Sequence, residues 1–290
     1  MFVHGNNLEQ KENHQAKYID KEAIQYLQEI RVKYNDWKSK NLSLIGPNKL
    51  INQDTDIKII EQRVSWLNEY KNFIDQQHYA EKFDSRSNLH SSVLEEFMYY
   101  LFRDMISEYS DNALIDKSHV FKDIFFRADN YELMICKPNA KIEVKDHDFT
   151  IGARINATMN TLGSDDIEKY TWDIPAIAIE CKTYLDKTML QDASTAAEEL
   201  KHRNPNAIYI VVTEWLKLTD SVNLKKFKID QIYVIRKQKN TDREFRYEKD
   251  YIKNPIYPDV IFHLFTFVRD FLTKDWESGI DFGLSKGYLI

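Results

Sequence analysis

The sequence predicts an α/β protein in which a mixed central β-sheet is flanked by helices and preceded by a helical N-terminal region. Three patterns predict it. Between Tyr18 and Ile106 apolar residues recur at intervals of three and four, the period of helices with one buried stripe. Between Phe121 and Lys182 the chain turns to short runs rich in β-branched and aromatic residues, separated by turn signals. Beyond Lys182 a helix pattern lies between strand patterns, a succession that makes a crossover unit and puts a parallel pair into the sheet.

Composition narrows the class. With 290 residues the chain can bury a substantial core, and 43% hydrophobic with 30% charged residues is the balance of an ordinary folded protein. Seven Gly and six Pro are too few for long low-complexity linkers. The chain is therefore divided only once, into a helical region over 1–85 and a larger domain over 86–290. The start lacks a basic stretch followed by an apolar one, and no segment approaches the ~18 apolar residues of a membrane helix, so a cytoplasmic protein without a membrane partner is expected. Cys136 and Cys181 both fall in apolar candidate strands, where buried, reduced thiols are expected.

The elements follow in order. Residues 1–16 are polar and aperiodic, as in a flexible start. A first helix carries Ala23, Leu27, Ile30, Tyr34 and Trp37 on its stripe. After the Gly46-Pro47-Asn48 break, a second carries Ile57, Ile60, Val64, Leu67 and Ile74, with Asp54 or Asp56 placed to cap it. A third, over 91–106, buries Leu94, Phe97, Met98, Leu101 and Met105. At about 100° per residue, Glu95 falls beside Phe102 at the edge of that stripe, whereas Glu96 points away from it. Strands are expected over 121–126, 131–137 and 141–152, then an irregular loop or short helical insertion over 153–173. A buried strand at 174–182 comes next. Thr188 to Gln191 has capping-box spacing and opens a helix whose Ala193, Ala196 and Ala197 permit close approach to a sheet. Strands at 207–213 and 229–237 complete the sheet. Pro258 opens an almost wholly apolar helix with Ile261, Leu264, Phe265, Val268 and Leu272 as its stripe.

The chemistry lies at the end of strand 174–182. Side chains alternate along a strand, so Ile177, Ile179 and Cys181 face one way and Ala178, Glu180 and Lys182 the other. Glu180 and Lys182 thus stand roughly 6.5–7 Å apart on one face, where both can address a hydrated metal ion beside a phosphate. Asp148, on a candidate neighbouring strand, faces away from the core-directed Phe149 and Ile151, and Glu95 is the helix acid able to look inward, although a boundary Glu solvated at its tip is the commoner reading of such a position. With the backbone carbonyl of Cys181 these groups form a hard-oxygen set beside one ammonium, the inventory that Mg²⁺ takes with phosphate oxygens. Phosphodiester hydrolysis is the natural reaction, with Lys182 orienting or activating the attacking water. A Glu-x-Lys pair alone is common at strand ends where both charges are simply hydrated. The apolar run before it, the neighbouring acid and the Ala-rich helix after it single this one out. No GxSxG, GxxxxGK[ST] or HExxH competes, and the 8 His lack ligand spacing; His147 faces away from Asp148 as a packing or surface residue.

The stretch Asp148-Phe149-Thr150-Ile151-Gly152, followed by Ile177-Ala178-Ile179-Glu180-Cys181-Lys182-Thr183-Tyr184-Leu185-Asp186-Lys187-Thr188-Met189, resembles the core of the PD-(D/E)xK nuclease superfamily. Residues 179–189 are similar to type II restriction endonucleases of the Bpu/BbvCI type, and the resemblance extends over 90–215. It implies a restriction-endonuclease-like core, Asp148, Glu180 and Lys182 as catalytic residues, Glu95 as helper, Mg²⁺ as cofactor and double-stranded DNA as substrate. It also implies a second nuclease subunit, in a heterodimer or a homodimer, so that two sites act together. No Pro precedes Asp148, and the connection to Glu180 is long. Asp165, Asp166 and Asp173 therefore stay open as the first acid, with Asp148 preferred because it follows an extended pattern.

A net charge of -6 ordinarily counts against nucleic-acid binding, yet residues 217–253 carry 11 Lys and Arg against 6 Asp and Glu. Lys225, Lys226, Lys228, Arg236, Lys237, Arg243 and Arg246 are the candidate phosphate contacts, with a solvated rim as the alternative. The leading expectation is a Mg²⁺-dependent, sequence-specific DNA endonuclease. A nicking, repair or junction-resolving nuclease, or a non-catalytic DNA-binding subunit of the same fold, are the rivals.

Overall fold

The computed structural model describes residues 2–83, 88–239, 250–276 and 280–287. Its first element is a helix, α1 (Val3–Glu12), where a flexible start is expected. Only one large apolar side chain, Leu8, is buried on it, which is why hydrophobic periodicity misses it. Hydrogen bonds anchor it instead. His4 Nδ1 lies 2.9 Å from Ser92 Oγ and Nε2 lies 2.6 Å from the Tyr70 hydroxyl. Burial, then Lys71, hold the His4 pKa well below the ordinary value, so the ring acts as a neutral bridge.

Helices α2 (Lys21–Ser43) and α3 (Gln53–Ile74) bury the expected stripes, except that Ile57 is only half-buried. Asp20 caps α2 by accepting from the Ala23 amide at 3.0 Å. The α3 cap is Asn52 rather than Asp54 or Asp56; Asp56 is buried against Arg269 at 2.6 Å. After α4 (Gln77–Lys82), α5 (Ser92–Ser107) contributes Leu94, Phe97, Met98, Leu101 and Met105 to the core. Glu96, expected to face outward, is fully buried. The N-terminal helices supply its partners: the Gly5 amide donates at 3.1 Å and the Tyr34 hydroxyl at 3.0 Å, while Tyr100 on α5 itself donates at 2.5 Å.

The sheet comprises β1 (Ala113–Phe126), β2 (Ala140–Met159), β3 (Glu168–Leu185), β4 (Ile208–Leu216) and β5 (Gln231–Val234) in that spatial order. The pairs β1–β2 and β2–β3 are antiparallel, whereas β3–β4 and β4–β5 are parallel, giving the mixed sheet that the sequence predicts. Residues 131–137 are not a strand but contain α6 (Tyr131–Cys136), capped by Asn130, which accepts from the Leu133 amide at 2.8 Å. None of its residues is buried, and Cys136 is exposed. Residues 153–173 are not an irregular loop: β2 and β3 continue as an antiparallel pair out to Met159 and Glu168. That part of β2 is half-buried or exposed on both faces, so its sequence lacks the alternation of a strand with one face in the core.

The crossover helix α7 (Lys187–Arg203) is capped by Asp186, which accepts from the Met189 amide at 2.9 Å, and not by a capping box at Thr188. It lays Leu190, Ala193 and Ala197 against Ala178, Tyr209 and Val211 on one face of the sheet. The opposite face, with Phe149, Ile151, Ile177, Ile179 and Cys181, shares one core with α2, α3, α5 and α8 (Pro258–Thr273). A short α9 (Ile280–Lys286) ends the described chain.

Gly152 sits where the β2–β3 register shifts, and a Cβ there would lie 2.1 Å from the Ile174 carbonyl oxygen and 2.8 Å from Pro175 Cα. Both obstacles are backbone. Gly152→Ala is expected to lower stability by about 1–3 kcal/mol, read as a shifted denaturant midpoint; an unchanged midpoint would contradict this close approach.

A buried ionic cluster joins α3, β4 and the exit of β5. Lys71 lies 2.9 Å from Glu214 and 3.3 Å from Asp75, and Arg236 lies 2.8 Å from Glu214. Lys253 and His90 complete the surroundings of Asp75 at 3.3 and 3.0 Å. Arg236 is therefore not a phosphate contact: it is fully buried, stacked 4.8 Å from the Trp215 ring centroid, and donates to Glu214 and to the Asn254 carbonyl.

Candidate active site

Four charged groups from three elements meet at the end of β3, the central strand. Phe149 pairs with Ile179, so Asp148 on β2 comes level with Glu180 on β3. Asp148 Oδ2 accepts from the Cys181 amide at 2.9 Å, extending the ladder by a side chain where the strands part. The Lys182 ammonium stands 2.5 Å from Glu180 Oε1 and 3.7 Å from Asp148 Oδ2. Tyr209, on the neighbouring β4, donates from its hydroxyl to Glu180 Oε2 at 3.2 Å and fixes that carboxylate from the other side. Glu95 comes from the first turn of α5 and is 7% exposed. Its Oε2 is buried without a hydrogen bond, the closest cation being Lys117 Nζ at 3.8 Å.

The electrostatics follow from this crowding. Burial first, then the Asp148 carboxylate, push the Glu95 pKa up to about 7, against the pull of Lys117 and Lys182. Burial and Glu180 likewise raise Asp148, with Lys182 opposing. Burial alone would lower Lys182, but Asp148 and Glu180 outweigh it and hold the amine above its ordinary value, so it stays an ammonium. Tyr209 is raised by burial and by Glu180 and keeps its proton.

Of the four acids considered for the first position, Asp148 is the one brought beside Glu180 and Lys182. Asp173 is buried and bound by Arg154 at 2.8 Å, and Asp165 and Asp166 lie in an exposed turn. His147 packs edge-on against Tyr209, 5.6 Å between ring centroids, and burial lowers its pKa. Among the basic candidates, Lys225 and Lys226 form an exposed 3-10 turn and Lys228 is exposed beside α7, its amide donating to Ser194 Oγ at 3.0 Å. Lys237 pairs with Asp259 at 2.5 Å, while Arg243 and Arg246 lie outside the described residues. The sequence reading missed Tyr209 and Lys117. Tyr209 hides in an apolar strand, and Lys117 stands in a stretch of β1 that carries no motif.

The donor set fits a hard divalent cation. Asp148, Glu180 and Glu95 offer carboxylate oxygens, burial and neighbouring carboxylates raise Asp148 and Glu95, and the unbonded Glu95 oxygen is an unmet demand for positive charge. Among the described residues, however, no three His, Cys, Asp or Glu groups are already drawn together in a metal-binding cluster.

A mixed five-stranded sheet flanked by helices, with further helices at the N-terminus, is also the architecture of a restriction endonuclease of known structure. The chain superposes on one from a structure described as the native BbvCI A2B2 tetramer at low resolution, with a TM-score of 0.68 and 20% identity over 93% of this chain and 96% of that one. The family model for the Bpu10I restriction endonuclease matches residues 86–289. The chain belongs to the Bpu10I restriction endonuclease family, and is thus a nuclease acting on DNA. No curated protein sequence matches it.

Proposed function

We propose that this chain is a catalytic subunit of a type II restriction endonuclease that hydrolyses phosphodiester bonds at a specific sequence in double-stranded DNA with Mg²⁺. The carrying observation is the Lys182 ammonium set between Asp148 and Glu180 at the end of the central strand. Asp148, Glu180 and the Cys181 carbonyl would hold the metal, with Glu95 beside them; the carbonyl leaves the same strand edge as the Cys181 amide, which already points to Asp148. When bound, Mg²⁺ supplies an acidified water and neutralises phosphoryl charge.

The residues of the chain do the rest. Because Lys182 stays protonated among its carboxylates, it serves as a donor that orients water or a phosphate oxygen and steadies developing charge, rather than as a base. Tyr209 holds Glu180 in place. Glu95, titrating near neutrality, can take up or release a proton beside the reacting groups. The helices of residues 1–85 buttress α5, and so Glu95, through Glu96. A second nuclease subunit, of the same or another kind, would cut the other strand, in keeping with the tetramer described for the structural neighbour. The enzyme would act in the cytoplasm; among the described residues no helix is long and apolar enough to cross a membrane.

Incubation with supercoiled plasmid and Mg²⁺ is expected to give nicked or linear products whose ends map to one sequence, and chelation of the metal to abolish them. Ends at unrelated sequences, or cleavage confined to branched DNA, would favour a repair or junction-resolving enzyme. No product would leave the claim of a catalytic subunit unsupported.

A further inference from the structure

A β-bulge places Lys117 on the rim of this site. In the β1–β2 ladder Asp116 pairs with Thr150 but Ser118 pairs with His147, so Lys117 alone stands against both Asp148 and Phe149. A bulge leaves one residue over and re-aims the side chains around it. Here Asp148 is one of the two opposed residues, so the same irregularity sets a catalytic acid and Lys117. It is pinned from below, where the Ser118 hydroxyl donates to Thr150 Oγ1 at 2.6 Å within the core.

Lys117 is held differently from Lys182. Its ammonium stops 3.8 Å from Glu95 Oε2, too far for a hydrogen bond, and its side chain remains 46% exposed. Lys182 is in direct contact with Glu180 at 2.5 Å and is 29% exposed. Lys117 thus has free donors turned towards water at the mouth of a group of three carboxylates, Glu95, Asp148 and Glu180. That group would repel a DNA phosphate, and an ammonium on its rim offsets part of the repulsion.

We propose that Lys117 is a substrate-binding residue that contacts a DNA backbone phosphate at or next to the scissile bond, opposite Lys182. The proposal rests on the nuclease reading above. It is tested by the salt dependence of binding to a short fluorescent DNA duplex carrying the mapped cleavage site, in Ca²⁺ so that the DNA stays intact. A phosphate contact contributes about 0.9 to the slope of log affinity against log salt. Lys117→Ala is expected to lower the slope by about that amount, Lys117→Arg to retain it, and cleavage at saturating Lys117→Ala protein to fall far less than in Lys182→Ala. An unchanged slope for Lys117→Ala, with the wild type binding normally, would reduce Lys117 to a counter-ion for Glu95 and overturn the proposal alone. Failure of the wild type to bind DNA would overturn the nuclease reading with it.

Discussion

Lys182→Ala is expected to lower the single-turnover rate of DNA cleavage by about 10²–10⁴, the span lost with one positioned proton-transfer or charge-stabilising group. The substitution removes the cation lying 2.5 Å from Glu180 and 3.7 Å from Asp148. The two carboxylates are then left facing each other without a cation between them. Because the Lys182 side chain is 29% exposed and the site lies where the strands part, the fold should survive, with an unchanged circular dichroism spectrum and melting temperature. Lys182→Arg should not restore the rate: a planar guanidinium cannot take the place of a compact ammonium between two acids set by the β2–β3 register. A Lys182→Ala protein that cleaves at the wild-type rate would remove Lys182 from the chemistry.

The second large effect is on stability. Glu214→Ala takes from Lys71 and Arg236, both fully buried, the carboxylate closest to each and leaves them to share Asp75. Breaking a buried pair from one side costs about 3–5 kcal/mol, to be read from urea unfolding at neutral pH. The same cluster makes stability pH-dependent. Burial alone would raise Asp75 and Glu214, yet the cations outweigh it: Lys71, His90 and Lys253 hold Asp75 well below the usual carboxylate range, and Lys71 and Arg236 lower Glu214. A carboxyl whose folded pKa is depressed adds stability that is fully present above its unfolded value of about 4 and is lost as the pH falls through the folded value. The denaturant midpoint should therefore drop on acidification below about pH 4–5, and drop less in Glu214→Ala, which has already lost one of the two groups. Equal acid sensitivity in the two proteins would contradict the assignment.

What the sequence revealed was set by how locally each feature is encoded. The Glu180/Lys182 pair was legible because strand alternation is fixed by backbone geometry, and Asp148 because Phe149 and Ile151 mark which face of β2 enters the core. The stripes of α2, α3, α5 and α8 were legible for the same reason. Failures came where a distant partner decides. Glu96 looks outward on a helical wheel of α5, but α1 and Tyr34 cover that side and convert it into a buried acceptor. Arg236 follows a strand in a basic segment and reads as a surface cation until Glu214 and Trp215 enclose it. The bulge that aims Lys117 is a property of a strand pair, and no single-strand pattern announces it.

The central claim is that Asp148 and Lys182 act as parts of one hydrolytic centre, and the most direct test is the single-turnover rate of the Asp148→Asn, Lys182→Ala double variant against each single one. Residues that act as a unit are strongly non-additive. The double variant is therefore expected to be no slower than the slower single variant, with all three retaining DNA binding. Losses that multiply would mean that the two groups contribute independently, and would contradict a single centre at the end of the central strand.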